Sequence, residues 1–208
     1  MSEAISPSRL ARAFFLAACC LLLAACGISR PVKLGLSAPF EGRHRDLGYE
    51  ALYAVRLAVR ERNEAGGAGG RYPVELVALN DFDEPDQALV QARKMAADPD
   101  VLAVLGGWSP ATATAAAPEY QRLGLLFVAP PTSWSGAGYP PPAPTAVPGD
   151  ESAFVQAYRA LSGGVPPGPI AVWAYAEANR ALDAFDAAAV TRLPARDDIL
   201  SLLKESHW

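Results

Sequence analysis

Residues 101–129 read VLAVLGGWSPATATAAAPEYQRLGLLFVA, and this stretch decides the fold class. Its first five residues are a continuous apolar run with two β-branched valines, which is typical of a strand covered on both faces. The next part predicts a helix, because Ser109 is a suitable N-cap and Pro110 fits the first helical position. The apolar run LLFVA then predicts another strand. This order indicates two parallel strands joined by a crossover helix.

The same alternation extends towards the amino end of the chain. The run PVKLGLSAPF predicts a strand that stops at Pro39, and an apolar helical period follows it until Gly66. The run PVELVAL predicts the next strand, and Asp86 is positioned to start the helix after it. The pattern therefore predicts an α/β fold, in which a doubly wound parallel sheet carries helices on both faces and forms a single Rossmann-like lobe.

Towards the carboxyl end the sequence predicts helices alone. Asp150 is a suitable N-cap for an apolar helical period that stops at Gly163-Gly164, and Pro169 suits the first turn of an alanine-rich helix. The run RDDILSLLKE predicts a last helix. We expect these helices, within residues 150–208, to complete one lobe with residues 32–133.

A proline-rich stretch separates the two parts of this lobe. Seven prolines lie in residues 130–148. Proline fixes φ and lacks an N–H, so such a stretch favours the extended polyproline II conformation. We therefore expect residues 134–149 to form a linker without a core of its own.

The first residues predict a targeting signal. Arg9 and Arg12 precede an apolar run from Ala13 to Ala25, which is too short to span a membrane and has the charge order of a secretory signal. The run closes in LAAC and resembles the bacterial lipobox, in which the cysteine is lipidated. The resemblance implies a lipoprotein signal peptide over residues 1–25, lipidation at Cys26 and a tether over residues 26–31. The alternative is an ordinary cleaved signal with an incidental cysteine.

The charged residues exclude several classes of function. The 22 acidic and 18 basic side chains give a net charge of −4, which offers no electrostatic reason for nucleic-acid binding. The only histidines are His44 and His207, and no catalytic triad, metal-binding motif or nucleotide loop can be assembled. Pro85 interrupts the acidic run NDFDEPD where a calcium loop needs its glycine. We expect no enzyme activity, no metal and no cofactor.

The ligand site of an open parallel sheet lies beyond the carboxyl ends of its strands. In the loop GGWSPAT, a helix amino terminus at Ser109 offers N–H donors to a carboxylate. The next such loop supplies the hydroxyls of Thr132 and Ser133, while Phe40 and Trp108 are placed to wall the site. The alternatives are that Ser109 only caps its helix and that the aromatic side chains only pack.

Several segments, taken in order, resemble the leucine/isoleucine/valine-binding family of periplasmic (type I) solute-binding proteins of ABC importers. They are VKLGLSAPFEG, LAVRERNEAGGAGG, VELVALNDFDEPDQALVQARKMAAD and VLAVLGGWSPATATAAAPEYQRLGLLFVAP, followed by FVQAYRALSGG and AVWAYAEANRAL. The resemblance implies two lobes that close on an amino acid, whose carboxylate and amino groups are held after strands three and four. It places Ser109, Ala111 and Thr112 in the first patch, and Pro131, Thr132 and Ser133 in the second.

This chain departs from the family pattern where the second lobe is expected. Only the proline-rich stretch stands there, and the chain stops after LLKESHW. Pro110 stands where the family often has a serine. Two functions remain open. One is a membrane-anchored extracytoplasmic solute-binding lipoprotein that delivers a small polar solute, such as a branched-chain amino acid, to an importer permease. The other is a single-lobe remnant, an interaction module or a homodimer that no longer traps ligand.

Overall fold

A computed structural model describes residues 30–130 and 151–205 of the chain. Its sheet has four parallel strands in the order β2-β1-β3-β4. Their bounds are β1 Val32–Ala38, β2 Val74–Asn80, β3 Val101–Leu105 and β4 Leu126–Val128. The predicted parallel α/β sheet is confirmed. Strands β1 and β3 lie in the middle and are almost completely buried, whereas β2 and β4 are edge strands with partly exposed side chains.

The helices cover both faces of the sheet. Their bounds are α1 Arg45–Glu64, α2 Pro85–Ala97, α3 Pro110–Arg122, α4 Glu151–Leu161, α5 Pro169–Ala188 and α6 Arg196–Glu205. The larger core cluster joins the sheet to α1, α4 and α5, and also contains Ile199 of α6. The smaller cluster joins the opposite face to α2 and α3 through Ala92, Met95 and Tyr120. The helices after the proline-rich stretch therefore pack on the same sheet as those before it.

Most predicted boundaries agree with the structure, and α2 is the exception. Its N-cap is Glu84, in an extended conformation, and Pro85 occupies the first turn. The expected start at Asp86 was wrong because Pro85 has the φ of a helical first turn and needs no N–H acceptor. Pro169 lies in the first turn of α5, as predicted. Asp150 lies outside the described residues.

Charged and polar side chains stabilise the end of the sheet at which the strands begin, which we call the amino edge; the opposite end, where the strands stop, is the carboxyl edge. The Asn63 side chain donates to the Val74 carbonyl and accepts from the Val74 N–H, both at 2.8 Å. The Lys33 ammonium lies 2.7 Å from Asp98. The Arg196 guanidinium, from α6, donates to four backbone carbonyls at the end of α2 and the start of β3, those of Met95, Ala96, Asp98 and Val101. These bonds fix α6 against the α2–β3 turn.

None of the helices within the described ranges is long and apolar enough to cross a membrane.

Candidate functional site at the carboxyl edge

The loops after β1 and β3 meet at the point where the strand order reverses. Strand β1 is followed in the chain by β2 on one side, and β3 is followed by β4 on the other. The indole N–H of Trp108, after β3, donates to the Ser37 carbonyl of β1 at 2.8 Å. Open α/β sheets bind ligands at this switch point, so a ligand site at the loops after β1 and β3 stays a prediction that this geometry allows.

The two aromatic residues predicted to wall the site occupy different environments. Trp108 is only 3% exposed and packs edge-to-face on Trp173 of α5, with ring centroids 5.4 Å apart. Phe40 is half-buried, its N–H donates to the Asn80 side chain, and its ring contacts that of Tyr49. Trp108 is thus a core residue whose contact with a ligand stays a prediction, whereas the Phe40 ring lies nearer to solvent.

Ser109 and Thr112 cap α3 reciprocally. The Ser109 hydroxyl accepts from the Thr112 N–H at 3.3 Å, and the Thr112 hydroxyl accepts from the Ser109 N–H at 3.2 Å. The Thr112 hydroxyl also donates to the Ser109 carbonyl, and Thr112 is only 1% exposed. Thr112 is therefore engaged in the cap. Ser109 is partly exposed, and its hydroxyl lies 3.0 Å from the Thr112 hydroxyl; because the Thr112 proton goes to the Ser109 carbonyl, the Ser109 hydroxyl is the donor in this contact. The Ala111 N–H lies in the same first turn, before the Thr112 and Ala113 N–H groups that bond to Ser109.

The glycine pair before Trp108 is required by close packing. Gly107 has a φ of +68°, and a Cβ there would lie 2.9 Å from Ala113. A Cβ on Gly106 would lie 3.1 Å from the Ser37 carbonyl oxygen. Both values are tighter than normal contacts, so side chains at these positions would push β1 and α3 away. The glycines bring the α3 amino terminus against the sheet.

Sequence reasoning missed a buried polar group beneath these loops. Asp81, directly after β2, is 1% exposed and accepts a hydrogen bond from the Ser37 hydroxyl at 2.9 Å and another from the Asp83 N–H. Burial raises the pKa of the Asp81 carboxyl above its usual value, despite these hydrogen bonds. Only the apolar strand before the acidic run NDFDEPD gave a sequence signal for this burial.

Two further buried polar atoms lie on the same side of the sheet. Within the described residues, the Gln91 side-chain oxygen and the Tyr120 hydroxyl have no hydrogen-bond partner. Burial, followed by the nearby Asp81 charge, raises the pKa of Tyr120 far above its usual value. This phenol therefore stays neutral and remains a hydrogen-bond donor.

The β2–α2 loop has an unusual backbone conformation. Phe82 and Asp83 both have positive φ, 56° and 59°, and Phe82 is 43% exposed. The Asn80 side chain accepts from the Phe82 N–H, and the Asp83 carboxylate lies 2.5 Å from the His44 ring. These contacts hold two consecutive left-handed residues and tie the loop to the start of α1.

A groove lies beside this edge, and the sequence did not predict it. We call it the tyrosine groove; it has a volume of about 540 Å³ and lies between the start of α1 and the end of α4. Its lining residues are Arg45, Asp46, Tyr49, Glu50, Tyr53, Tyr158, Ser162, Val165 and Pro166. The i,i+4 spacing of two tyrosines near the start of α1 is the only sequence signal that pointed to it.

Glu50 closes the inner end of the tyrosine groove. Its carboxylate accepts a hydrogen bond from the Ala171 N–H at 2.9 Å, at the amino end of α5. Burial raises the pKa of Glu50, and the hydrogen bonds from the first turn of α5 partly offset this effect. The carboxylate therefore caps a helix rather than facing a ligand.

Three predicted site residues, Thr132, Ser133 and Cys26, lie outside the described residues, and their roles stay predictions. Within residues 30–130 and 151–205, no group of three or more histidine, cysteine, aspartate or glutamate side chains is placed to hold a metal ion.

Comparison with known proteins identifies the family. The family model described as periplasmic binding protein matches residues 31–147. A Leu/Ile/Val-binding protein homolog 7 from Brucella melitensis is 31% identical over 107 residues, which are 51% of this chain and 26% of the relative. An amino acid binding protein from Pseudomonas aeruginosa is 26% identical over 99 residues, covering 48% of this chain and 26% of the relative. The chain spans about a quarter of the length of these curated relatives.

Among solved structures, a crystal structure described as a branched-chain amino acid ABC transporter from Rhodospirillum rubrum is 33% identical, with a TM-score of 0.46. The similarity covers 48% of this chain and 28% of that one. The matched residues of the family model end before α4 begins. The resemblance of α4 and α5 to later parts of the family therefore stays a prediction.

Proposed function

The chain belongs to the periplasmic binding protein family, and on this premise we propose that it is an extracytoplasmic lobe that binds a small polar solute. The solute class that we propose is the amino acids, with a branched aliphatic side chain. The names of the relatives, which include Leu/Ile/Val-binding and amino acid binding proteins, support this class.

The observation that carries the proposal is the position of the α3 amino terminus at the switch point of the sheet. The Ala111 N–H lies in the first turn there, beside the partly exposed Ser109. Oriented N–H groups at a helix amino terminus favour a carboxylate. The Thr132 and Ser133 hydroxyls would add donors from the loop after β4.

One lobe supplies only part of the wall that a small solute needs. Good sites bury roughly 70–90% of a small ligand. Each hydrogen bond formed in water contributes about 0.5–1.5 kcal/mol, and immobilising the solute offsets much of the gain from two or three of them. We therefore expect binding no tighter than a dissociation constant of roughly 1 mM, or about −4 kcal/mol.

Calorimetric titration with leucine, isoleucine and valine tests this function. The matched control is Ser109→Asp, because aspartate is as good an N-cap as serine but repels a carboxylate. We expect weak binding to the natural chain and none to the variant. Equal binding to both chains would reject the α3 site, and micromolar affinity would show that another surface completes it.

We further propose that lipidation of Cys26 anchors the protein and that an importer permease receives the solute. The arginines and the apolar run before Cys26 support this anchor. Cys26→Ser should move the protein from the membrane fraction to the soluble fraction or leave an unprocessed precursor. Identical fractionation of the two proteins, without lipid mass on the natural one, would reject the anchor.

A second candidate is an interaction module that no longer traps solute. Tyr49, 41% exposed beside the open carboxyl edge, favours it because tyrosine is enriched in protein contact surfaces. Sedimentation equilibrium separates the two candidates. A dimer that binds no amino acid would support the module, whereas a monomer that binds leucine would support the solute receptor.

A further inference from the structure

Two buried side chains on the α2 and α3 side of the sheet carry polar atoms that the protein itself does not satisfy. Gln91 of α2 is 5% exposed, and Tyr120 of α3 is completely buried. Within residues 30–130 and 151–205, the Gln91 side-chain oxygen and the Tyr120 hydroxyl have no hydrogen-bond partner. A buried polar atom without a partner has lost its hydration and gained nothing in return, so both atoms are costly as they stand.

The end of β2 fixes the orientation of the Gln91 amide. The amide nitrogen donates to the Asn80 carbonyl at 2.9 Å. A carbonyl oxygen can only accept, so exchanging the amide oxygen and nitrogen would place two acceptors against each other. The unsatisfied atom of Gln91 is therefore its oxygen, and this oxygen requires a donor.

Tyr120 has a proton to donate but does not bond to Gln91. Its ring stacks on that of Phe127 in β4, with centroids 4.4 Å apart and an interplanar angle of 14°, so the direction of the hydroxyl is fixed by packing. Burial raises the pKa of this phenol far above its usual value, and the hydroxyl keeps its proton. Because both atoms are unsatisfied, the hydroxyl and the Gln91 oxygen lie too far apart for a direct hydrogen bond.

Both side chains approach the residues at the end of β2. Gln91 bonds to the carbonyl of Asn80, the last residue of β2, and the charge of Asp81, the next residue, acts on Tyr120. The buried Asp81 carboxyl accepts hydrogen bonds from the Ser37 hydroxyl and from the backbone. A carboxylate offers about four acceptor positions, so Asp81 can accept a further bond.

We propose that one buried water molecule binds between Gln91, Tyr120 and Asp81. The water accepts a hydrogen bond from the Tyr120 hydroxyl and donates to the Gln91 oxygen and to the Asp81 carboxyl. Buried waters typically make about three hydrogen bonds to polar groups that otherwise lack partners, and a polar contact too long for a direct bond is the usual place for one. The proposal does not depend on the solute proposed above.

The chemistry of the site favours water over a cation. Hard cations such as calcium take about six or more oxygen ligands, whereas three side chains meet here. Burial favours the neutral form of the Asp81 carboxyl, which attracts a cation poorly. A water can donate and accept at once, so it satisfies an acceptor and a donor that no cation could satisfy together.

The water would connect the two helices of this face to the carboxyl edge. Asp81 holds the Ser37 hydroxyl, and the carbonyl of Ser37 accepts from the Trp108 indole. A water bound to Asp81 therefore links α2 and α3 to the hydrogen bonds that hold the loop after β3.

Oxygen-17 magnetic relaxation dispersion of the full chain counts the buried waters that exchange slowly with solvent. The natural chain is compared with a chain carrying Gln91→Met and Tyr120→Phe, which replace both polar groups with apolar ones of similar shape. We expect the substituted chain to lose one such water. Tyr158→Phe is the matched control, since its equally buried hydroxyl donates directly to the Glu50 carbonyl, and it should lose none.

Urea unfolding of the same variants tests whether both groups use one water. Gln91→Met and Tyr120→Phe should each lower the folding equilibrium constant about fivefold, because each leaves the water with fewer partners. The double variant should lose about as much as either single variant, not about 25-fold, because the second substitution removes a group whose partner has already gone. Gln91→Met combined with Tyr158→Phe should show independent effects.

A high-resolution crystal structure of the natural chain identifies the occupant without any substitution, so the test remains if a variant fails to fold. A water within hydrogen-bond distance of Gln91, Tyr120 and Asp81 is the expected result. A direct bond between Gln91 and Tyr120, a side chain from outside residues 30–130 and 151–205 at this position, or an ion with five or six oxygen neighbours would overturn the proposal. An unchanged number of slowly exchanging waters, or independent effects of Gln91→Met and Tyr120→Phe, would overturn it as well.

Discussion

The two edges of the sheet are stabilised by different chemistry. At the amino edge, ion pairs and the Arg196 guanidinium hold the strand starts and helix ends. At the carboxyl edge, buried and mostly neutral hydrogen bonds hold the loops, such as the one from Trp108 to the Ser37 carbonyl and the one from the Ser37 hydroxyl to Asp81. The first edge satisfies its polar groups internally, whereas the second presents the α3 amino terminus and the exposed Tyr49 side chain to an occupant.

This difference separates stability from binding. Substitutions at the amino edge should change the free energy of unfolding without changing affinity for a solute. Substitutions at the carboxyl edge should change both, because the same loops hold the α3 amino terminus.

The largest effect is expected from Trp108→Ala. Truncating this buried indole leaves a cavity against Trp173, and the expected loss is about 3–5 kcal/mol of unfolding free energy. Trp108→Phe keeps most of the packing but leaves the Ser37 carbonyl without its donor, at a cost of about 1–3 kcal/mol. Urea unfolding measures both values. A loss below about 1 kcal/mol for the alanine variant would contradict the core role of Trp108.

Arg196→Met should have the next largest effect. The variant removes the donor to four carbonyls at the amino edge, and we expect a loss of about 2–3 kcal/mol in urea unfolding. Arg196→Lys should recover part of this loss, because an ammonium reaches fewer of the carbonyls than a guanidinium. Solute affinity, measured by calorimetry on the folded variant, should stay unchanged. A change in solute affinity would contradict the expectation that amino-edge substitutions affect stability alone.

The two edges should show opposite pH dependence. The hydrogen bond from Lys33 lowers the pKa of Asp98, so its contribution to stability is present above the unfolded pKa and is lost as pH falls through the folded value. Burial raises the pKa of Asp81, so its contribution is complete below the unfolded pKa and is lost as pH rises through the folded value.

Urea unfolding between about pH 3 and pH 8 tests these signs. Relative to Asp98→Asn, the natural chain should gain stability as pH rises over this range. Relative to Asp81→Asn, it should lose stability as pH rises. Slopes of the same sign for both comparisons would contradict the contrast.

The smallest effect is expected from Lys33→Met. The Lys33–Asp98 pair is partly exposed, so its loss should cost only about 0.5 kcal/mol at low salt. The difference from the natural chain should shrink in about 1 M sodium chloride, because salt screens the pair. A cost that does not change with salt would indicate lost packing of the lysine stem instead.

Local sequence signals predicted most of the fold. The apolar run of β3, the Ser109-Pro110 start of α3 and the strand before Pro39 depend on neighbours in sequence, and the structure has all three. The start of α2 was missed by one residue because two neighbouring positions, Pro85 and Asp86, both suit a first turn.

The non-local contacts were not predictable from one sequence. Glu50 caps α5 across 121 positions, and Arg196 reaches Asp98 across 98. Nothing in the local sequence near Glu50 specifies that partner. The candidate site was predicted only in part: the Ser109 cap follows from its local motif, whereas the buried position of Trp108 depends on Trp173, far along the chain.

The packing of α5 against α1 has a consequence for the nascent protein. The apolar side of α1 is covered by α5, which comes from the far side of the proline-rich stretch. Once β4 has been synthesised, roughly sixty more residues must follow before α5 is complete, which takes about 3–12 s at ordinary translation rates. During those seconds the apolar side of α1 stays exposed because α5 is not yet available to cover it. A holding chaperone or a secretion factor therefore has time to bind this helix before the lobe finishes folding.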